Sequence, residues 1–199
     1  MKDTRRSLKE LAEESGGVLS TKQICGVGLS RPALAQLVKE ETLIRVRHGY
    51  YRLGDELVDE YVQLQSRCSR SVYSYGTALF FWGLSDRVPH VLDMTVPQGT
   101  NVGKIRRDEP NVRFHYVPVG VWDLGRREVR SPQGGMVVLY DKERCLCDMI
   151  RARRRIDLQL YTQALKQYFA QGADTRKLLK YGKRLGVEDQ IRTYMEVLQ

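Results

Sequence analysis

Residues 30–53, SRPALAQLVKEETLIRVRHGYYRL, change period half-way, and that change decides the fold. Ser30 is a good N-cap, and Pro32 falls in the first turn of the helix it opens, where a missing N–H costs nothing. Leu34, Leu37 and Val38 recur at helical spacing as one apolar stripe. After Glu41 two β-rich runs follow, Leu43 to Arg47 and Tyr50 to Leu53, separated by His48-Gly49; this predicts a hairpin with glycine in its turn. A helix that runs straight into a hairpin is the second half of a winged helix-turn-helix.

The residues before it supply the first half. Arg5 to Glu14 predicts a helix with Leu8, Leu11 and Ala12 on one face, ended by Gly16-Gly17, after which Val18 and Leu19 enter the core. Ser20 caps a short helix over Thr21 to Cys25, Gly26 terminates it, and Val27 to Leu29 is the turn to the next.

Downstream, Leu57 to Ser71 predicts a connecting helix and Tyr73 to Leu84 another, burying Leu79, Phe80, Trp82 and Leu84. Strands follow at Val91 to Val96, Val112 to Pro118 and Met136 to Tyr140, with a polar excursion between the last two. From Asp141 the pattern is helical: Lys142 to Arg153, Asp157 to Gln171, Thr175 to Leu185 and Glu188 to Leu198. The expected fold class is α+β. A winged helix-turn-helix over residues 1–55 precedes a larger α+β domain over 56–199, with early strands and a C-terminal helical bundle.

Charge is placed where such a module would use it. The whole chain carries +9, and Ser20 to Arg52 holds six basic residues against two acidic ones, whereas Met1 to Leu19 is neutral. Reading bases requires a helix in the major groove with polar side chains opposite its core stripe. With Leu34 buried, a 100° step per residue puts Pro32, Gln36 and Lys39 on the far side, flanked by the small Ala33 and Ala35. Gln36 is a candidate bidentate partner for adenine. Ser30 and Arg31 sit at the helix start; Thr21 and Lys22 open the preceding helix, where N–H groups suit a phosphate.

In the hairpin, alternation places Arg45 and Arg47 on one face and Ile44 and Val46 on the other. His48 at the tip and Arg52 complete a basic wing, suited to the DNA backbone or an adjacent minor groove. Winged folds also mediate protein contacts, and a charged hairpin can be a solvated face. Helix polarity, wing charge and net basicity together favour DNA.

Other classes lack their motifs. The longest apolar run, Thr77 to Leu84, is far short of the roughly 20 residues of a membrane span, and Met1 to Glu14 is too charged for a secretion signal. A cytoplasmic protein without membrane contact is expected. Cys25, Cys68, Cys145 and Cys147 lack zinc-site spacing, so no metal or other cofactor is expected. The acidic candidates, Ser85-Asp86-Arg87, Asp93, Asp108-Glu109, Asp141-Lys142-Glu143 and Asp148, show no nuclease spacing. His90 and His115 lack a nucleophile in a recognisable turn, and no glycine-rich loop follows a strand. No catalytic residue is assigned, and an enzyme is not expected.

One further basic cluster, Arg151, Arg153, Arg154 and Arg155, follows the apolar face of Leu146, Met149 and Ile150 and so lies at a helix C-terminus. Cations there suit the helix dipole; the other reading is a second surface for nucleic acid or a partner.

Ordered along the chain, these stretches resemble a known family, the AbiEi-type antitoxins. The winged module matches through Gly17 to Thr21, Ser30 to Val38 and Leu43 to Tyr51. The second half resembles the family through Tyr75-Gly76-Thr77-Ala78-Leu79, Gly83 to Pro89, Thr95-Val96-Pro97, Tyr140 to Arg144 with Cys147-Asp148, and Tyr194 to Leu198. The likeness covers about residues 15–199.

The resemblance implies a repressor that binds repeated sites in double-stranded operator DNA of its own operon. It also implies an antitoxin that neutralises a cognate nucleotidyltransferase-like toxin in abortive phage infection, of type IV in the AbiE system, where no stable complex forms. A monomer in solution that binds DNA cooperatively is the expected state. The family's basic C-terminal face matches best at Arg151, Arg153, Arg154 and Arg155, and His48 stands where a further basic residue is common. The alternative is a plain winged-helix regulator whose second domain senses a ligand or dimerises.

Overall fold

The computed structural model describes residues 2–54 and 58–198. The chain divides into two compact units: Met1–Arg67 with Val129–Val137, and Cys68–Glu128 with Val138–Gln199. The expected boundary at 55/56 and the expected helix start at Leu57 lie outside the described residues. The first unit continues past that boundary to Arg67 and takes in a short later segment.

In the first unit, α1 (Lys2–Glu14), α2 (Thr21–Gly26) and α3 (Arg31–Lys39) surround a wing of β2 (Leu43–Arg47) and β3 (Tyr50–Leu53), to which β1 (Leu19–Ser20) adds a third strand in the order β1-β3-β2. The caps form as their residue types predict. Ser20 and Gln23 make a reciprocal capping box on α2, and the Ser30 side chain accepts from Ala33 N at 3.3 Å. Leu8, Ala12, Leu19, Ile24, Leu34, Leu43 and Leu53 form an aliphatic core, with Leu11, Leu37, Val38 and Tyr51 packed against it.

Beyond the wing, α4 (Glu60–Ser66) starts at Asp59, a buried carboxylate that spends both oxygens. Oδ1 accepts from Tyr61 N and Val62 N at 2.9 and 3.1 Å. Oδ2 accepts from Gly135 N at 2.9 Å and from the Ser131 hydroxyl. Gly16 and Gly135 meet here backbone to backbone; a Cβ on either would lie within 2.8 Å of the other's Cα. That approach explains why residues 129–137 belong to the first unit.

The second unit is built on a sheet of order β6-β5-β4-β8-β7. Its strands are β4 (Val72–Tyr73), β5 (Leu92–Pro97), β6 (Val112–Val117), β7 (Arg126–Arg130) and β8 (Met136–Tyr140), the unit division falling within β7 and β8. β5 pairs antiparallel with β4 and parallel with β6; β4 pairs parallel with β8. The helices are α5 (Tyr75–Phe81), α6 (Gly103–Asp108), α7 (Val119–Trp122), α8 (Lys142–Arg151), α9 (Leu158–Ala170), α10 (Thr175–Leu185) and α11 (Glu188–Leu198), with a 3-10 turn at Arg153–Arg155. The fold is α+β with a winged N-terminal module and C-terminal helices, as expected.

Three expectations are corrected in detail. Tyr73 belongs to strand β4 and not to the following helix, which begins at Tyr75. The polar excursion before β8 contains a strand, β7, at one edge of the sheet, whose residues RREVR have no apolar alternation because none of them is buried. Phe80 and Trp82 are half-buried, although Leu79 and Leu84 are fully buried.

α8 is the spine of the second unit: every residue from Glu143 to Ile150 is buried. Arg144, 0% exposed, donates from Nε to Asp148 Oδ2 at 2.9 Å and from Nη1 to Val121 O and Leu124 O, with its guanidinium 4.3 Å from the Tyr140 ring centre. Lys177 Nζ reaches Asp141 Oδ2 and Glu143 Oε2 at 2.9 and 2.7 Å. Tyr168 and Tyr181 donate to Glu143 and Asp141.

Candidate nucleic-acid interface

α3 presents the side the sequence predicts. Leu34 is buried while Arg31, Pro32, Ala35, Gln36 and Lys39 are exposed, and Ala33 is half-buried. Arg31 and Lys39 make no ion pair or side-chain hydrogen bond among the described residues and are available to a polyanion. Gln36 is already oriented: its Nε2 donates to Glu40 Oε1 at 2.6 Å, one helical turn on. Glu40, absent from the expected site, therefore holds the amide that would read a base. Gln–Glu spacing of four on an exposed helix face is the signal that could have found it. Ser30 is exposed and uses an oxygen lone pair on Ala33 N, which leaves its hydroxyl proton to donate.

The wing keeps some of its expected groups outward and turns others inward. Arg45 is exposed, and its Nη2 lies 2.7 Å from His48 Nδ1, so a neutral His48 accepts from Arg45 and orders the tip. Gly49 at φ 77° makes the turn. Its carbonyl accepts from both Thr21 N at 2.8 Å and Thr21 Oγ1 at 3.2 Å. Thr21 thus spends its donors on fastening the wing to α2, whereas its neighbour Lys22 is exposed.

Arg52 is half-buried and donates to Leu53 O at 3.3 Å and Gly54 O at 3.1 Å, so its charge is folded against the main chain at the base of the hairpin. The expected two-faced alternation is also interrupted. Arg45 pairs with Tyr51 and Arg47 with Tyr50, so Val46 is an extra residue and the strand bulges there. The side chain of Arg47 lies outside the described residues.

In the second unit, Arg151 ends α8 and Arg153–Arg155 form the 3-10 turn, as part of the wall of a cavity of about 860 Å³. Tyr75, His115, Tyr116, Asp148, Tyr161 and Tyr194 share that wall. Arg153 lies 4.5 Å from the Tyr161 ring centre, and Tyr161 donates to Tyr194 Oη at 2.7 Å. His115 stacks on Tyr75 at 4.1 Å, and its Nε2 is 2.7 Å from Asp93 Oδ1. Sequence reading missed these aromatic and histidine neighbours, because they come from strands and helices far apart in the chain.

The acidic candidates at 93, 141, 143 and 148 are consumed by the fold, whereas Asp86 and Asp108 are exposed. Asp141, Glu143 and Asp148 are buried in the α8 network; burial pushes the Asp148 carboxyl above its ordinary value against the opposing pull of Arg144. The Cys147 thiol is pushed up to about 12 by burial, so it remains a thiol at neutral pH. Among the described residues no group of three His, Cys, Asp or Glu could hold a metal ion, and no helix is long and apolar enough to cross a membrane.

Residues 6–54 match a protein family described as "Transcriptional regulator, AbiEi antitoxin". The resemblance read from the sequence therefore holds over the winged module, and with it the antitoxin, DNA-binding and transcriptional-regulator vocabulary of that family. No curated protein matches the chain. Among solved structures, the RV2827C protein from Mycobacterium tuberculosis is similar, with a TM-score of 0.55 and 15% identity. The match covers 88% of this chain and 69% of that one, a likeness of fold.

Proposed function

We propose, on the premise of a winged module similar to the AbiEi antitoxin regulators, that this protein represses its own operon by binding double-stranded operator DNA. The observation that carries the reading is the outward face of α3, with Arg31, Gln36 and Lys39 exposed beside the exposed wing Arg45. α3 enters the major groove, and Gln36, freed from Glu40, pairs with an adenine edge. Ser30, Arg31, Lys39 and Lys22 meet phosphates; Arg45, Arg47 and His48 lie along the backbone beside the groove. Thr21 and Arg52 act by holding the wing in place. Successive monomers bind repeated operator sites cooperatively.

The second unit, on this reading, neutralises a nucleotidyltransferase-like toxin, with Arg151, Arg153, Arg154 and Arg155 as its working surface. The exposure of Arg151, Arg154 and Arg155 at the end of a buried helix, with Arg153 half-buried beside them, supports that assignment. The plain-regulator alternative, with a ligand-sensing second unit, draws support from the cavity those arginines line.

Two cellular assays test the proposal. A reporter fused to the DNA upstream of the gene should fall at least tenfold when the chain is supplied, and should recover with Gln36→Ala and Arg45→Ala combined. The adjacent reading frame should arrest growth when expressed alone and not when co-expressed with this chain. A harmless neighbour with intact repression leaves the plain regulator.

A further inference from the structure

We propose that the arginine-lined cavity of the second unit is a binding site for a phosphorylated nucleotide. This goes beyond the repressor and antitoxin reading and stands or falls separately from it.

The electrostatics come first. Four arginines, Arg151, Arg153, Arg154 and Arg155, line one concave wall, against a single acidic residue of that wall, Asp148, that Arg144 already engages. Among the described residues none of the four donates to a carboxylate or to a main-chain carbonyl. Helix capping would use α8's last carbonyls, and among the described residues no such side-chain bond is made; Arg153 has a ring contact, over Tyr161. Like charges crowded in a concavity repel one another, and an oxyanion that takes bidentate hydrogen bonds relieves that repulsion.

The size and the remaining wall narrow the ligand. About 860 Å³ is within the range of small-molecule sites and larger than a lone phosphate needs. Tyr116, 44% exposed at the cavity wall, offers a ring face with no aromatic or cationic partner among the described residues. Tyr194 accepts from Tyr161 and so keeps its own O–H to donate. Phosphate donors on one side and a free aromatic face on the other match a phosphate joined to a base.

Tyr75 adds an independent sign. It lies in the same wall with φ 46°, a left-handed conformation that a tyrosine rarely adopts, and its ring is held on His115, which Asp93 anchors. Backbone strain of this kind concentrates at ligand sites.

The ligand is a nucleotide free in solution or the 5′-phosphorylated end of a strand; both present the same chemistry. Titration calorimetry of the full chain with ATP, GTP, CTP and UTP, tripolyphosphate and unphosphorylated nucleosides tests it. At least one triphosphate should bind one per chain in the micromolar range, tripolyphosphate about tenfold more weakly, and nucleosides not measurably.

Arg154→Ala with Arg155→Ala, both exposed positions, should weaken triphosphate binding at least tenfold without lowering the melting temperature of the free protein. Arg176→Ala with Lys180→Ala removes two exposed charges elsewhere in the unit and should change it less than twofold. Tyr116→Ala should weaken the triphosphate severalfold and leave tripolyphosphate unchanged. Competition by a 5′-phosphorylated trinucleotide assigns the strand end as the source; its failure assigns the free nucleotide. No binding of any triphosphate at 1 mM, undiminished binding in the arginine variant, or tripolyphosphate binding as tightly as every triphosphate would overturn the proposal.

Discussion

The two units bury opposite kinds of residue. The winged module closes on an aliphatic core, Leu8 through Leu53, and turns Lys22, Arg31, Lys39 and Arg45 outward; Asp59 is the one charged residue buried in the first unit among those described. The second unit buries Asp93, Asp141, Glu143, Arg144 and Asp148. What the difference teaches is where charge is free to act. In the module, charge is spare and faces out. In the second unit the buried acidic groups of α8 hold helices together, and the arginines at and beyond the end of α8 line a cavity.

That contrast can be broken most forcefully at Arg144. Arg144→Ala strands the buried Asp148 and removes two carbonyl contacts, so it should cost about 3–5 kcal/mol in urea denaturation. Less than about 1 kcal/mol would mean that the polar network is incidental. In the first unit the corresponding test is Asp59→Ala. It removes a helix cap and leaves Gly135 N and the Ser131 hydroxyl without their acceptor, at an expected cost of about 2–3 kcal/mol. Removing Asp59 should also expose residues 129–137 to proteolysis, whereas Arg144→Ala should not do so selectively.

Outward-facing charge should behave differently. Gln36→Ala should leave stability within about 0.5 kcal/mol and weaken operator binding by about 1–3 kcal/mol with little effect on random DNA. Equal losses on both DNAs would make Gln36 a backbone contact.

The smallest effect concerns alkaline pH. Burial raises the Tyr140 hydroxyl above its ordinary value of 10.0, so the folded state holds that proton longer than the unfolded chain does. Its contribution is complete below pH 10 and is lost as pH rises further. Between pH 10 and 11 the wild type should lose about 1 kcal/mol more than Tyr140→Phe; equal losses would remove Tyr140 from the account.

How much of this was legible in the sequence follows from the range of the interactions. The hairpin at 43–47 and 50–53 and the helices 175–185 and 188–198 have the expected bounds, because glycine turns, caps and periodicity are local. β4 is two residues long, too short to show alternation; β7 is an edge strand with no buried residue, so its sequence is polar. Thr21 and Arg52 carry the right chemistry for phosphate, but main-chain carbonyls from residues 49, 53 and 54 claim their donors. Asp59's grip on residues 131–135 and the meeting of the arginines with Tyr75 and His115 depend on residues more than 30 positions apart, which no spacing rule reaches.

The most direct test of the central claim, that outward charge on the winged module reads operator DNA, is the salt dependence of binding by the full chain to the DNA upstream of its gene. Contacts to roughly five phosphates predict a logarithmic slope of about −4 to −5, and Arg45→Ala should make it shallower by about one while weakening operator and random DNA alike. A slope near zero, or one that Arg45→Ala leaves unchanged, would contradict the account.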